Sequence, residues 1–169
     1  CIVKAEALLR WHHPVQGLVS PMEFVHIAEE TGLINDIGDW VFKQSAQKAD
    51  DWSNMLASDF QVSVNMSPIQ FKKDTDLFIK GWQAYLHEHK IHGQNIAVEI
   101  TEGLLLDAEP EVIDKVLWLR DAGIQVAIDD FGTGYSSLSY LKKFDIDYLK
   151  IDKSFVNNLE NSANDITLC

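Results

Sequence analysis

The feature that most constrains this chain is a short, mostly β-branched run that ends on a polar side chain and passes into a helical stretch, repeated along its length. Phe60-Gln61-Val62-Ser63-Val64 runs into Asn65, and Ile96-Ala97-Val98 into Glu99-Ile100-Thr101-Glu102. Gln125-Val126-Ala127-Ile128 runs into Asp129-Asp130, and Tyr148-Leu149 into Lys150-Ile151-Asp152. Near the start, Ile2-Val3 leads through Lys4-Ala5 to Glu6-Ala7-Leu8-Leu9-Arg10. Mostly apolar runs of this length belong to parallel sheets covered on both faces, not to hairpins with one wet face.

Helical segments separate the runs. Ser20-Pro21-Met22-Glu23 is a capping box with proline at the first helical position, and Gly32 is placed to end that helix. Ile37, Val41, Ala46 and Ala49 share one side of the next helix, expected to begin near Asn35 or Asp36. Leu77 to His89 carries a similar stripe. Pro110 opens a helix through Val112, Val116, Leu117 and Leu119, which Gly123 closes, and Ser136 to Lys143 reads as a shorter one. Alternating strands and helices imply right-handed βαβ units.

From Asn65 to Glu99 is 34 positions, from Glu99 to Asp129 is 30 and from Asp129 to Lys150 is 21, which suits a doubly wound sheet or a TIM-like barrel. The polar residues favour the barrel, because they sit at the C-terminal end of every strand and barrels gather catalytic groups on that face. An open sheet concentrates its site at one switch point. A closed barrel needs eight strands and usually about 250 residues. The expected fold is therefore α/β: a TIM-like (β/α) barrel, incomplete within residues 1–169.

Fourteen basic and twenty-six acidic side chains give a net charge of −12, which disfavours DNA or RNA polymers as partners. No apolar run approaches the roughly 18 residues of a membrane span, and no signal peptide opens the chain. Cys1 and Cys169 are the two cysteines, one at each end, a poor disulfide framework that suits a reducing compartment and a cytoplasmic location. The absence of an initiator methionine reads as a fragment. Anchoring of a parent protein at the inner membrane is left open.

Glu6, Asn65, Glu99, Asp129 and Asp130 all offer oxygen ligands at strand ends. An oxygen set without histidine or cysteine suits hard cations such as Mg²⁺ or Mn²⁺. Four carboxylates converging on one face would repel unless cations neutralised them. A pair of metal ions roughly 3.5–4 Å apart would do so, and would also activate water and stabilise phosphoryl charge. Asp129-Asp130 would serve such a pair if the strand ended between them. Lys150 would orient the attacking water or stabilise an oxyanion, and Arg10 would grip a phosphate.

Each residue has a plainer reading. A lone acidic residue after a strand is commonly a solvated side chain or a helix cap, and Lys150 by itself a surface lysine. Asn65-Met66-Ser67-Pro68 by itself is a turn and helix start. Gly132-Thr133-Gly134 lacks the lysine of a Walker loop, and Asp130-Phe131-Gly132 stands without a kinase catalytic loop. The histidines show no metal spacing, and the five tryptophans read as core residues on helical stripes.

The motifs taken in order decide between these readings. Glu6-Ala7-Leu8-Leu9-Arg10-Trp11 with His13-Pro14, Val64-Asn65-Met66-Ser67, Glu99-Ile100-Thr101-Glu102, Asp129 through Leu138, and Leu149-Lys150-Ile151-Asp152 with Ser154-Phe155-Val156 resemble the EAL domain family of cyclic di-GMP phosphodiesterases. The resemblance implies a TIM-like barrel with one antiparallel strand and Mg²⁺- or Mn²⁺-dependent hydrolysis of cyclic di-GMP to linear pGpG. It implies that Glu6, Asn65, Glu99 and Asp129 bind one metal and Asp130 the second. Lys150 would contact the intervening water or one of the ligands. Arg10 would meet a substrate phosphate, Leu8 the guanine side, and Asp152 would lie close by on the substrate side. Glu102 would brace the loop from Asp130 to Ser137, the region of a homodimer contact in this family.

The departures lie at the ends. The family's first strand, with its Tyr-Gln-Pro motif, and its last two βα units, with the Glu-Gly-Val-Glu motif that supplies a metal ligand and the general base, are absent from this sequence. A parent protein with sensor or diguanylate-cyclase domains fits the family. The alternatives are a sensor module that binds cyclic di-GMP without cleaving it, and an inactive fragment of the enzyme. A metal-dependent lyase barrel would leave the Asp-Phe-Gly-Thr-Gly run unexplained.

Overall fold

Five parallel strands form one sheet in the computed structural model, which describes residues 2–56, 59–71, 76–106, 109–132, 144 and 146–157. In sheet order they are β1 (Lys4–Ala7), β4 (Gln61–Asn65), β5 (Ile96–Thr101), β6 (Gln125–Phe131) and β7 (Tyr148–Ile151). Each neighbouring pair is parallel, with Glu6 opposite Ser63, Asn65 opposite Glu99 and Thr101 opposite Asp129. Parallel pairing in chain order puts every strand's C-terminal end on one edge, which is how residues far apart in sequence reach one site. The sheet curls so far that its outer strands meet across the concave side: Lys150 on β7 lies 3.5 Å from Glu6 on β1. The result is an incomplete TIM-like barrel.

The strands alternate with period two. Val62, Val64, Ile96, Val98, Ile100, Val126 and Ile128 belong to the buried core. Their neighbours Gln61, Asn65, Glu99, Gln125 and Asp129 make polar contacts on the concave side. Among the described residues the helices pack on the convex face, and the inward positions Ser63, Ala97, Glu99 and Ala127 are buried as well, so the central strands are covered on both faces, with smaller and polar side chains on the inner one. The helices are α1 (Pro21–Thr31), α2 (Ile34–Leu56), α3 (Asp76–His89), α4 (Glu102–Leu106), α5 (Pro110–Asp121) and α6 (Lys153–Asn157).

Phe42 of α2 stacks on Trp82 of α3 with ring centroids 3.9 Å apart, and Val116 and Leu119 of α5 complete the layer over β5 and β6. Burial of each such side chain stabilises by about 1.5–3 kcal/mol. The expected ends are found at α1, where Ser20 Oγ accepts from the Met22 N–H at 3.3 Å and Gly32 adopts φ 79° beyond the last turn. Pro110 begins α5, and Gly123, at φ 77°, donates back to the Arg120 carbonyl at 2.7 Å. The segment Ser136–Lys143 lies outside the described residues.

Two features differ from the sequence reading. β2 (Trp11–His13) and β3 (Gly17–Val19) form an antiparallel hairpin, too short to display a period of its own. His13 Nδ1 accepts from the N–H groups of Val15 and Gln16, and Gly17 at φ 75° completes the turn. Of the tryptophans, Trp82 is fully buried, whereas Trp11 on β2 and Trp40 on α2 are 44% and 57% exposed.

Candidate metal and phosphodiester site

Three strand ends converge on one ammonium group carried by a fourth strand. Lys150 Nζ lies 2.5 Å from Glu99 Oε2, 3.3 Å from Asp129 Oδ1 and 3.5 Å from Glu6 Oε2. Asn65 Nδ2 donates to Glu6 Oε1 at 2.9 Å, which fixes the Glu6 carboxylate and leaves the Asn65 amide oxygen as an acceptor. The period of two dictates this gathering: Glu6, Asn65, Glu99, Asp129 and Lys150 each stand at an inward position and follow an outward one.

Glu99 is 2% exposed, a buried carboxylate that needs a charge partner. Lys150 supplies it. Burial by itself would lower the Lys150 pKa, but the hydrogen bond to Glu99 and the charges of Glu99, Asp129 and Glu6 outweigh it and hold the group above the usual lysine value.

Asp129 and Asp130 are separated by backbone geometry rather than by a strand end. β6 continues through Phe131, but the register shifts between Ile128 and Phe131, and Asp130 adopts φ 52°. This left-handed bulge aims two consecutive carboxylates to the mouth, an arrangement regular pleating forbids. The Asp130 N–H donates to Asp129 Oδ1 at 3.0 Å. Burial, then the charges of Asp129 and Asp152 and a hydrogen bond to Asp152, raise the Asp130 pKa against the opposing pull of Lys150. Asp152 is held below the usual range, chiefly by hydrogen bonds from Ser154. The two residues form an acidic pair beside the central cluster.

Around this core, Glu102 begins α4 directly after β5, and its Oε2 accepts from the Gly132 N–H at 3.0 Å. It therefore ties the end of β6 to β5, while positions 133–137 of the following loop lie outside the described residues. Leu8 and Arg10 follow β1 and line a cavity of about 350 Å³ together with Asn65, Glu99 and Asp129. The Arg10 guanidinium donates to the Leu9 carbonyl at 2.7 Å and is exposed.

A polar brace that the sequence reading missed holds the turn after Asn65. Ser67 Oγ donates to Glu29 Oε1 of α1 at 2.6 Å and accepts from the Ile69 N–H, while Gln70 Oε1 accepts from the Ser67 N–H at 3.0 Å. Gln70 packs so closely on Gly38 of α2 that an added Cβ there would lie 2.0 Å from its side-chain nitrogen. A serine two residues after a strand-end asparagine was the available signal, but its partner lies 38 positions away.

The donors present are carboxylate and amide oxygens, which suit a hard divalent cation. Among the described residues no three His, Cys, Asp or Glu side chains are already grouped as a metal cage. The carboxylates instead close on the Lys150 ammonium, a cation that marks where their charge is directed. No described helix is long and apolar enough to cross a membrane.

Comparison with known proteins places this geometry in a family. The EAL domain model matches residues 1–169. The chain is 35% identical to the bifunctional diguanylate cyclase/cyclic di-GMP phosphodiesterase MucR of Pseudomonas aeruginosa, over 99% of this chain and 24% of that protein. It is 37% identical to the oxygen sensor protein DosP of Escherichia coli, over 90% of this chain and 19% of that protein. The chain thus spans a quarter or less of the length of these curated relatives. Among solved structures, the MucR phosphodiesterase in complex with cyclic di-GMP superposes with a TM-score of 0.87 at 35% identity, covering 98% of this chain and 66% of that one. The chain belongs to the EAL domain family.

Proposed function

We propose that this chain carries most of the divalent-metal site of a cyclic di-GMP phosphodiesterase, which hydrolyses one phosphodiester bond to give linear pGpG. The observation that carries the reading is the convergence of Glu6, Glu99 and Asp129 on a single cation, with Asn65 bonded to Glu6. The MucR relative and its cyclic di-GMP complex support the choice of substrate.

Glu6, Asn65, Glu99 and Asp129 would hold one Mg²⁺ or Mn²⁺, and Asp130 would reach a second. Ions held there supply water activation and charge stabilisation at the phosphoryl group. Lys150, bonded to Glu99 and close to Asp129 and Glu6, orients the ligand carboxylates and offers its ammonium to the attacking water. Arg10 meets a non-bridging phosphate oxygen with its planar fork, and Leu8 covers the base. Asp152, bonded to Asp130, orients that carboxyl and lies on the substrate side. Glu102 braces the start of the loop that leads toward a dimer contact.

The test is direct. Purified protein with Mn²⁺ and cyclic di-GMP should release pGpG, resolved by chromatography, and Glu6→Ala or Asp129→Ala should abolish the product. Unchanged hydrolysis in either variant would overturn the assignment. Tight binding without turnover would instead identify a sensor module or an inactive fragment of the enzyme.

A further inference from the structure

One layer below the acidic cluster, the concave face carries a second polar set. Lys4 precedes Glu6 by two positions on β1, and Tyr148 precedes Lys150 by two on β7, so each faces the same side as its partner above. The Lys4 ammonium sits 4.2 Å from the centroid of the Tyr148 ring. The Tyr148 hydroxyl donates to Gln125 Oε1 at 3.0 Å, the same oxygen accepts from Gln61 Nε2, and Gln61 stands in register with Lys4. A polar chain thus runs from β1 through β7 and β6 to β4. Strands β1 and β7 are the two ends of the sheet order and do not pair with each other. Among the described residues, side-chain contacts bridge them in two layers, Lys150 to Glu6 and Lys4 to Tyr148.

We propose that Lys4 and Tyr148 are positioning residues: their contact is a second strut between the sheet's outer strands, holding Glu6 and Lys150 at the spacing the cation site requires. The inference rests on the metal-site reading above. It differs in sign from the other role open to Lys4. That ammonium also feels the attraction of Glu99 and the repulsion of Lys150. A lysine acting purely through its charge would repel a bound cation, so its loss would tighten metal binding. A strut predicts the reverse.

The experiment uses Lys4→Met, Lys4→Arg, Tyr148→Leu and the Lys4→Met/Tyr148→Leu double variant of the whole chain. Free Mn²⁺ is followed by electron paramagnetic resonance during titration, and unfolding in urea is measured without metal. Lys4→Met and Tyr148→Leu should each weaken Mn²⁺ binding about three- to ten-fold, and the double variant no further than the weaker single, because both remove one interaction. Lys4→Arg preserves a cation over the ring and should stay within about two-fold of wild type. The metal-free cycle should show a coupling of about three-fold in the unfolding constant. Tighter Mn²⁺ binding in Lys4→Met, additive losses, or an uncoupled cycle would overturn the strut. A wild-type chain that binds no Mn²⁺ would instead overturn the metal-site reading and the positioning role with it, while the metal-free cycle would still report whether the strut exists.

Discussion

Replacing Lys150 by methionine removes one charge and keeps most of the stem, which isolates the ammonium at the centre of the site. That ammonium lies 2.5 Å from Glu99, 3.3 Å from Asp129 and 3.5 Å from Glu6. The variant leaves Glu99, 2% exposed, as a buried carboxylate beside two others. Removing one partner of a fully buried pair costs about 3–5 kcal/mol. Because the Lys150 side chain is 36% exposed, water screens part of the pairing, and a loss of about 1.5–3 kcal/mol is expected. With urea slopes of about 1–3 kcal/mol per molar for small proteins, the midpoint in EDTA should fall by about 1 M. Mn²⁺ should then restore more stability to the variant than to the wild type, since a divalent cation meets the same carboxylates without displacing an ammonium. At a hundred-fold excess over its dissociation constant, a ligand adds about 2.7 kcal/mol by mass action. An unchanged midpoint in EDTA would refute the reasoning, because it would mean that Glu99 does not depend on Lys150 for its charge.

Other positions give equally concrete outcomes. Gly93→Ala would set its Cβ 2.0 Å from the Ala122 backbone carbonyl oxygen, an atom that cannot swing aside, and should lower the thermal midpoint by the equivalent of about 3 kcal/mol or the upper end of overpacking costs. Ser67→Ala removes the bond to Glu29 and the acceptor for the Ile69 N–H, and should cost about 1–2 kcal/mol by urea unfolding. Glu102→Ala strips the acceptor from the Gly132 N–H; turnover should fall about ten-fold or more while far-ultraviolet circular dichroism is unchanged, and Glu102→Gln, which keeps an acceptor oxygen, should lose less.

The sequence by itself determined the five parallel strands, their direction and the residues at their C-terminal ends. Glu6, Asn65, Glu99, Asp129 and Lys150 could be named in advance because parallel strands in chain order must bring those ends to one edge. The caps at Ser20, Pro21 and Gly32 were equally legible, since capping is settled within four or five residues of chain. What the tertiary structure decided is which of these groups touch. A lysine that by itself reads as a surface residue becomes the hub of three carboxylates, because sheet curvature carries β7 across to β1. Asp129 and Asp130 share the mouth through a bulge and a left-handed φ, which no period reveals. The short β2–β3 hairpin, the Ser67–Glu29 bond and the Lys4–Tyr148 contact join segments whose local patterns carry no mark of their partners. Periodicity and caps are local and survive in the sequence; curvature and side-chain partners arise from packing between distant elements, and so appear when the chain is folded.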